Sequence, residues 1–168
     1  MRALVVLALG PLLIALASCS ATKAPAATDT TGQVTSVNLP SEILGLHIVS
    51  ENVQGTIKGV SGTYLQSLGL FSFREKSNLL RATLQVGVFN KLAPATLDRF
   101  RSSIIGQLGS SVPIQVRMGT RKIYVSTGTE QNIFTWFDDK AFYVLSVRSD
   151  FPFQRTLLRD LVAIQIAQ

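Results

Sequence analysis

Cysteine and histidine each occur once in the 168 residues. A single cysteine excludes an intramolecular disulfide. One cysteine with one histidine also excludes a zinc finger or a multi-histidine metal centre, and no metal or cofactor is expected. Charge is sparse: Asp, Glu, Lys and Arg make up 15% of the chain against 46% hydrophobic residues. That balance excludes a chain disordered throughout. The length suits one domain with little room for a second.

Catalytic patterns are missing as well. A Ser-His-Asp set would need His47 as its base. His47 lies in the apolar stretch 44–51, and no Gly-x-Ser-x-Gly elbow occurs. It reads as a structural or surface histidine. Asp138-Asp139 is the one adjacent acidic pair. It falls between two apolar runs, just before Lys140, where a hairpin turn calls for Asp. Gly55, Gly59 and Gly62 lack the Gly-Lys-Ser/Thr of a phosphate-binding loop and read as an open loop. The chain is therefore read as non-enzymatic.

The N-terminus is rich in what the rest lacks. After Met1-Arg2, residues 3–17 form an uncharged apolar run of fifteen. That is shorter than the ~20 residues of a spanning helix, and Pro11 interrupts it. It suits the apolar region of an export signal. The run ends in Leu16-Ala17-Ser18-Cys19: an aliphatic residue, two small residues, then the sole Cys. This resembles the lipobox of bacterial lipoproteins. The resemblance implies a diacylglycerol thioether on Cys19, cleavage before it, and acylation of the new amine, often with palmitate. Two or three acyl chains hold a protein stably on a bilayer. The expected location is extracytoplasmic, lipid-anchored to the cell membrane. Ser20 in place of Asp leaves the outer membrane open where the host has one.

Three segments follow from this: a signal peptide over 1–18, the lipidated Cys19 with a flexible tether to 38, and one domain over 39–168. Residues 20–38 are rich in Ala, Thr and Ser without apolar periodicity, so they cannot bury enough surface to order themselves. The domain's pattern predicts strands near 46–49, 68–74 and 79–89, with the charged stretch Arg74 to Asn78 as a hairpin turn. Pro94 opens a helix to about Leu108 with a stripe of Leu97, Phe100, Ile104 and Leu108, capped at Gly109. Arg99 and Arg101 lie off that stripe and are expected in solvent. Four strands come next, 112–118, 121–127, 131–137 and 141–148. Asp150 is the expected N-cap of a last helix, with Pro152 in its first turn and a stripe of Phe153, Leu157, Leu158, Leu161 and Ile164. The fold expected is α+β: an antiparallel sheet of about six to seven strands, with both helices packed on one face. The element order is similar to small α+β lipoprotein domains of the PsbP-like kind.

Removal of Arg2 with the signal lowers the net charge from +6 to about +5. Strand parity places Arg81, Gln85, Arg117, Lys122 and Tyr124 on the face opposite Leu80, Ala82 and Leu84. Cations, amides and aromatics on an open sheet face make a candidate binding surface. Arg155 and Arg159 read as a solvated helix face. For an exported, tethered, basic domain, anionic lipid, wall polymer or an acidic protein surface suits better than nucleic acid. The function expected is a non-enzymatic binding or accessory domain for an envelope protein or component. The alternatives are a carrier of a small apolar or amphiphilic ligand between sheet and helices, and a hydrolase of unorthodox site.

Overall fold

The computed structural model describes residues 37, 39–51, 64–107 and 113–164. Strands β1 (Glu42–Ile43), β2 (Leu46–Glu51), β3 (Leu65–Arg74) and β4 (Leu80–Phe89) come first, followed by helix α1 (Pro94–Gly106). A meander follows: β5 (Ile114–Met118), β6 (Arg121–Thr127), β7 (Gln131–Phe137) and β8 (Ala141–Arg148), closed by helix α2 (Gln154–Ala163). The signal region, Cys19, the tether up to 36, the glycines at 55, 59 and 62, and the expected cap at Leu108-Gly109 lie outside the described residues.

The strands form one antiparallel sheet in the order β1-β2-β3-β4-β8-β7-β6-β5. The fold class is α+β, with eight strands rather than six to seven. The extra strand is β1. Its two residues pair with β2 through Ile43 and Leu46, leaving Leu44 and Gly45 as the turn. Both have positive φ, 53° and 74°, the pattern of a type I′ hairpin. A leucine there works against its own backbone preference; the sequence suggests a short turn after Ser41, but two residues are too few to show β1 as a strand.

The two helices do not share a face, which corrects the expected arrangement. Successive side chains of a strand point to opposite faces, and β8 shows where each face leads. Phe142 and Val144 cluster with Phe89 of β4 and with Phe100 and Ile104 of α1. Tyr143, Leu145 and Val147 cluster instead with Leu157, Leu158, Leu161 and Val162 of α2. One helix thus covers each side. The expectation failed because it assumed a sheet wet on one face. The central strands β7 and β8 are apolar at both parities, which is what a sheet covered on both sides requires.

The larger core lies under α2. Phe73, Leu84, Ile123, Trp136, Leu145 and Leu157 are fully buried there. Trp136 and Tyr143 are cross-strand partners with rings stacked at 4.9 Å. Val37 and Leu39 pack against this core, so packing begins within the segment read as tether. The second core is aromatic. Phe100 stacks on Tyr64 at 5.2 Å and meets Phe89 and Phe142 edge-on.

Helix α1 starts at Pro94 as expected, with Phe100 and Ile104 buried. Helix α2 starts later than expected, at Gln154, and Asp150 does not cap it. The Asp150 carboxylate is drawn away to Arg148, at 3.0 Å through two bonds. Phe153 is correspondingly 55% exposed, while Phe151 takes the buried place before the helix.

Candidate functional site

Gln85, Arg117, Lys122 and Tyr124 share the α1 face of the sheet but not one place on it, and Arg81 sits where the β3–β4 register slips, between the Ala82–Phe73 and Leu80–Arg74 pairs. Tyr124 and Gln85 lie in a single row of cross-strand partners, Gln115–Tyr124–Thr135–Val144–Gln85. Three strand spacings separate them, roughly 14 Å. Arg81 stands four residues beyond Gln85, at the opposite end from Lys122.

Arg81 is not an open cation. Its Nε donates to Glu75 at 2.6 Å and its Nη1 to Asp150 at 3.4 Å. Asp150 also accepts from Arg148, so one carboxylate serves two guanidinium groups. Hydrogen bonding from Arg148 is the main cause holding the Asp150 carboxyl below its usual range, and the same bond raises Arg148. This end of the face is a closed network that fixes the β3–β4 turn to the exit from β8.

Arg117 and Lys122 are different. They are direct cross-strand partners in the β5–β6 hairpin, and both are exposed. No ion pair reaches either among the described residues. Like charges directly opposite each other destabilise a strand pair, and among the described residues no acid pairs with either to offset this. Tyr124 is the neighbour of Lys122 on the same face. Its ring meets Phe137 at 6.1 Å, edge to face, at the margin of the aromatic core.

The hairpin is the end of the sheet. A two-residue loop, Gly119-Thr120, joins Met118 to Arg121. Gly119 has φ of 60°, which suits the first central position of a type II′ turn. Such a loop closes on a hydrogen-bonded pair. Hydrogen-bonded and non-bonded pairs then alternate along the ladder. Met118, Val116 and Ile114 therefore bond to β6, and the N–H and C=O groups of Gln115 and Arg117 point outward. Among the described residues no strand lies beyond β5. On the other face of the strand, Ile114 is 62% exposed and Val116 40%. Sequence parity found Arg117 and Lys122 but missed these two apolar neighbours, because strand position within the sheet decides whether both faces are bare.

Most other polar residues the sequence singles out have structural roles. Asp138 is the turn residue expected of it: Oδ1 accepts from the N–H of Lys140 and Ala141, at 2.9 and 2.7 Å. Its Oδ2 accepts from the Tyr143 hydroxyl at 2.8 Å. Burial first, then donation to Asp138, holds the Tyr143 phenol well above the ordinary tyrosine range, with Arg121 opposing. Arg101 departs from expectation. Its guanidinium lies 5.8 Å from both the Phe89 and Phe137 ring centres and donates to the Asp138 carbonyl at 2.7 Å. His47 is exposed on the β1–β2 hairpin, with Nδ1 3.8 Å from Glu42 across the pair. Arg155 and Arg159 are exposed on α2, and Arg159 pairs with Asp160 at 3.1 Å. Among the described residues no cluster of His, Cys, Asp or Glu is placed to hold a metal, and no helix is long and apolar enough to cross a membrane.

No protein-family model, curated protein or solved structure matches the chain.

Proposed function

We propose that this protein is a lipid-anchored extracytoplasmic lipoprotein whose domain serves as a non-enzymatic binding module for an envelope protein. The anchor is carried by one observation: the sole cysteine of the chain stands at the end of Leu16-Ala17-Ser18-Cys19, directly after an apolar run of export-signal length. Acyl chains at Cys19 hold the domain at a bilayer surface, where a partner search is confined to the membrane's vicinity. The binding role is supported by the Arg117–Lys122 pair, two facing, exposed cations with no acidic partner among the described residues. The mutual packing of Phe89, Phe100 and Phe142 under α1 supports this role over that of a ligand carrier.

Metabolic labelling with an alkyne fatty acid tests the anchor. Wild type should take up label and fractionate with membranes. Cys19→Ala should take up none, and should run at the higher mass of the unprocessed chain or appear in the medium. Label retained by Cys19→Ala removes the anchor and with it the membrane-tethered reading.

A further inference from the structure

We propose that β5 is a docking edge that takes an extended, acidic segment of a partner protein as a ninth strand. The inference deepens the binding reading above and rests on it. Three features of the β5–β6 hairpin carry it. The outward N–H and C=O groups of Gln115 and Arg117 form a short ladder edge that no strand pairs among the described residues, the usual template for strand addition. Ile114 and Val116 present an apolar strip on one face of that edge, 62% and 40% exposed. Arg117 and Lys122 present two cations on the other.

An incoming strand alternates its side chains between the two faces. The matching sequence therefore has apolar residues at every second position, lying beside Ile114 and Val116. Between them it has Asp or Glu, lying beside Arg117 with Lys122 one strand further in. The carboxylates relieve the like-charge pairing that the hairpin carries alone. A second copy of this chain fits less well. Antiparallel self-pairing about Val116 sets Gln115 opposite Arg117 and brings two Arg117–Lys122 pairs into one small interface with no acid between them. A bare anionic membrane would use the two cations but not the outward amides.

The test uses the full-length protein in neutral detergent and three fluorescent heptapeptides. One alternates Val with Glu, one alternates Val with Lys, and one has the Val and Glu residues in separate blocks. Anisotropy should show binding of the alternating acidic peptide only, weakening as salt is added. Gln115→Pro removes one outward N–H and no ladder bond, so the fold should survive. An unchanged melting temperature checks this, and affinity should fall at least tenfold. Arg117→Glu with Lys122→Glu should lose the acidic peptide and gain the Val–Lys peptide. Equal binding of all three peptides, no binding of the acidic one, or binding unchanged in Gln115→Pro overturns the proposal. So does a dimer in sedimentation that Gln115→Pro dissociates, since the edge is then filled by another copy. Vesicles containing phosphatidylglycerol supply the last arm: binding to them that Gln115→Pro leaves intact, without peptide binding, assigns the cations to lipid instead. Peptide binding is independent of Cys19. Label retained by Cys19→Ala, or none on the wild type, therefore sinks the anchor alone, and loss of peptide binding sinks the edge alone.

Discussion

Gly87 shows how much can depend on a missing side chain. It sits opposite Phe142 in the β4–β8 register. The Phe142 ring lies across it so closely that an added Cβ would overlap the ring edge at Cε1 and Cζ. Phe142 cannot retreat, because it is buried between Phe89 and Phe100. Gly87→Ala should therefore destabilise by about 3 kcal/mol, the upper part of the usual cost of overpacking. Gly106, at the end of α1, has open space where its Cβ would go. Gly106→Ala should be neutral or stabilise by up to about 1 kcal/mol. Urea unfolding of both variants checks the contrast. Similar costs at the two positions would mean the ring is not packed over Gly87. In the sequence, Gly87 reads only as a weak point in a strand, since its partner lies 55 positions away.

Helix α1 illustrates which parts of an element can be read from the sequence. Pro94 and the spacing of Leu97, Phe100 and Ile104 give its start and its buried stripe. The strands β6, β7 and β8 are equally readable, because the turn-formers Gly119-Thr120, Gly128 to Glu130 and Asp138 to Lys140 bound short runs rich in β-branched and aromatic residues. What the helix does off its stripe depends on tertiary placement. Arg101 looks like a solvent residue until Phe89, Phe137 and the Asp138 carbonyl are brought to it. Phe100→Ala should cost about 3–5 kcal/mol through the cavity it leaves. Arg101→Ala should cost about 1–2 kcal/mol, from a charged hydrogen bond and two ring contacts. Arg99→Ala, at an exposed position, should fall within about 0.5 kcal/mol of wild type. Thermal or urea unfolding ranks the three. If Arg101→Ala matches Arg99→Ala, the guanidinium does not hold α1 to the β7–β8 turn.

The whole molecule explains why the candidate surface was only half legible. Parity along a strand gives the face of a residue only while the register is unbroken, as it is at Gln85, Arg117, Lys122 and Tyr124 but not at Arg81. Strand order is not written in any one strand. The chain runs β4, α1, β5, yet the sheet runs β4-β8-β7-β6-β5. Arg81 and Gln85 are thereby parted from Lys122 by two full strands, and β5 is left at the edge. Strand order also sets where the domain begins. Leu39 donates its N–H to the Val37 carbonyl at 3.1 Å, and both side chains rest on the core under α2. Each is partly buried, so each should contribute about 1 kcal/mol of the 1.5–3 that full burial gives. A chain shortened to begin at Val37 should then melt where the full-length protein does. One shortened to Ser41 should melt about 5–10 °C lower, while keeping a single cooperative transition. Calorimetry on the two shortened chains decides it. Equal melting temperatures would mean that Val37 and Leu39 only touch the core. A loss already present in the chain from Val37 would mean that residues before it form part of the folded unit.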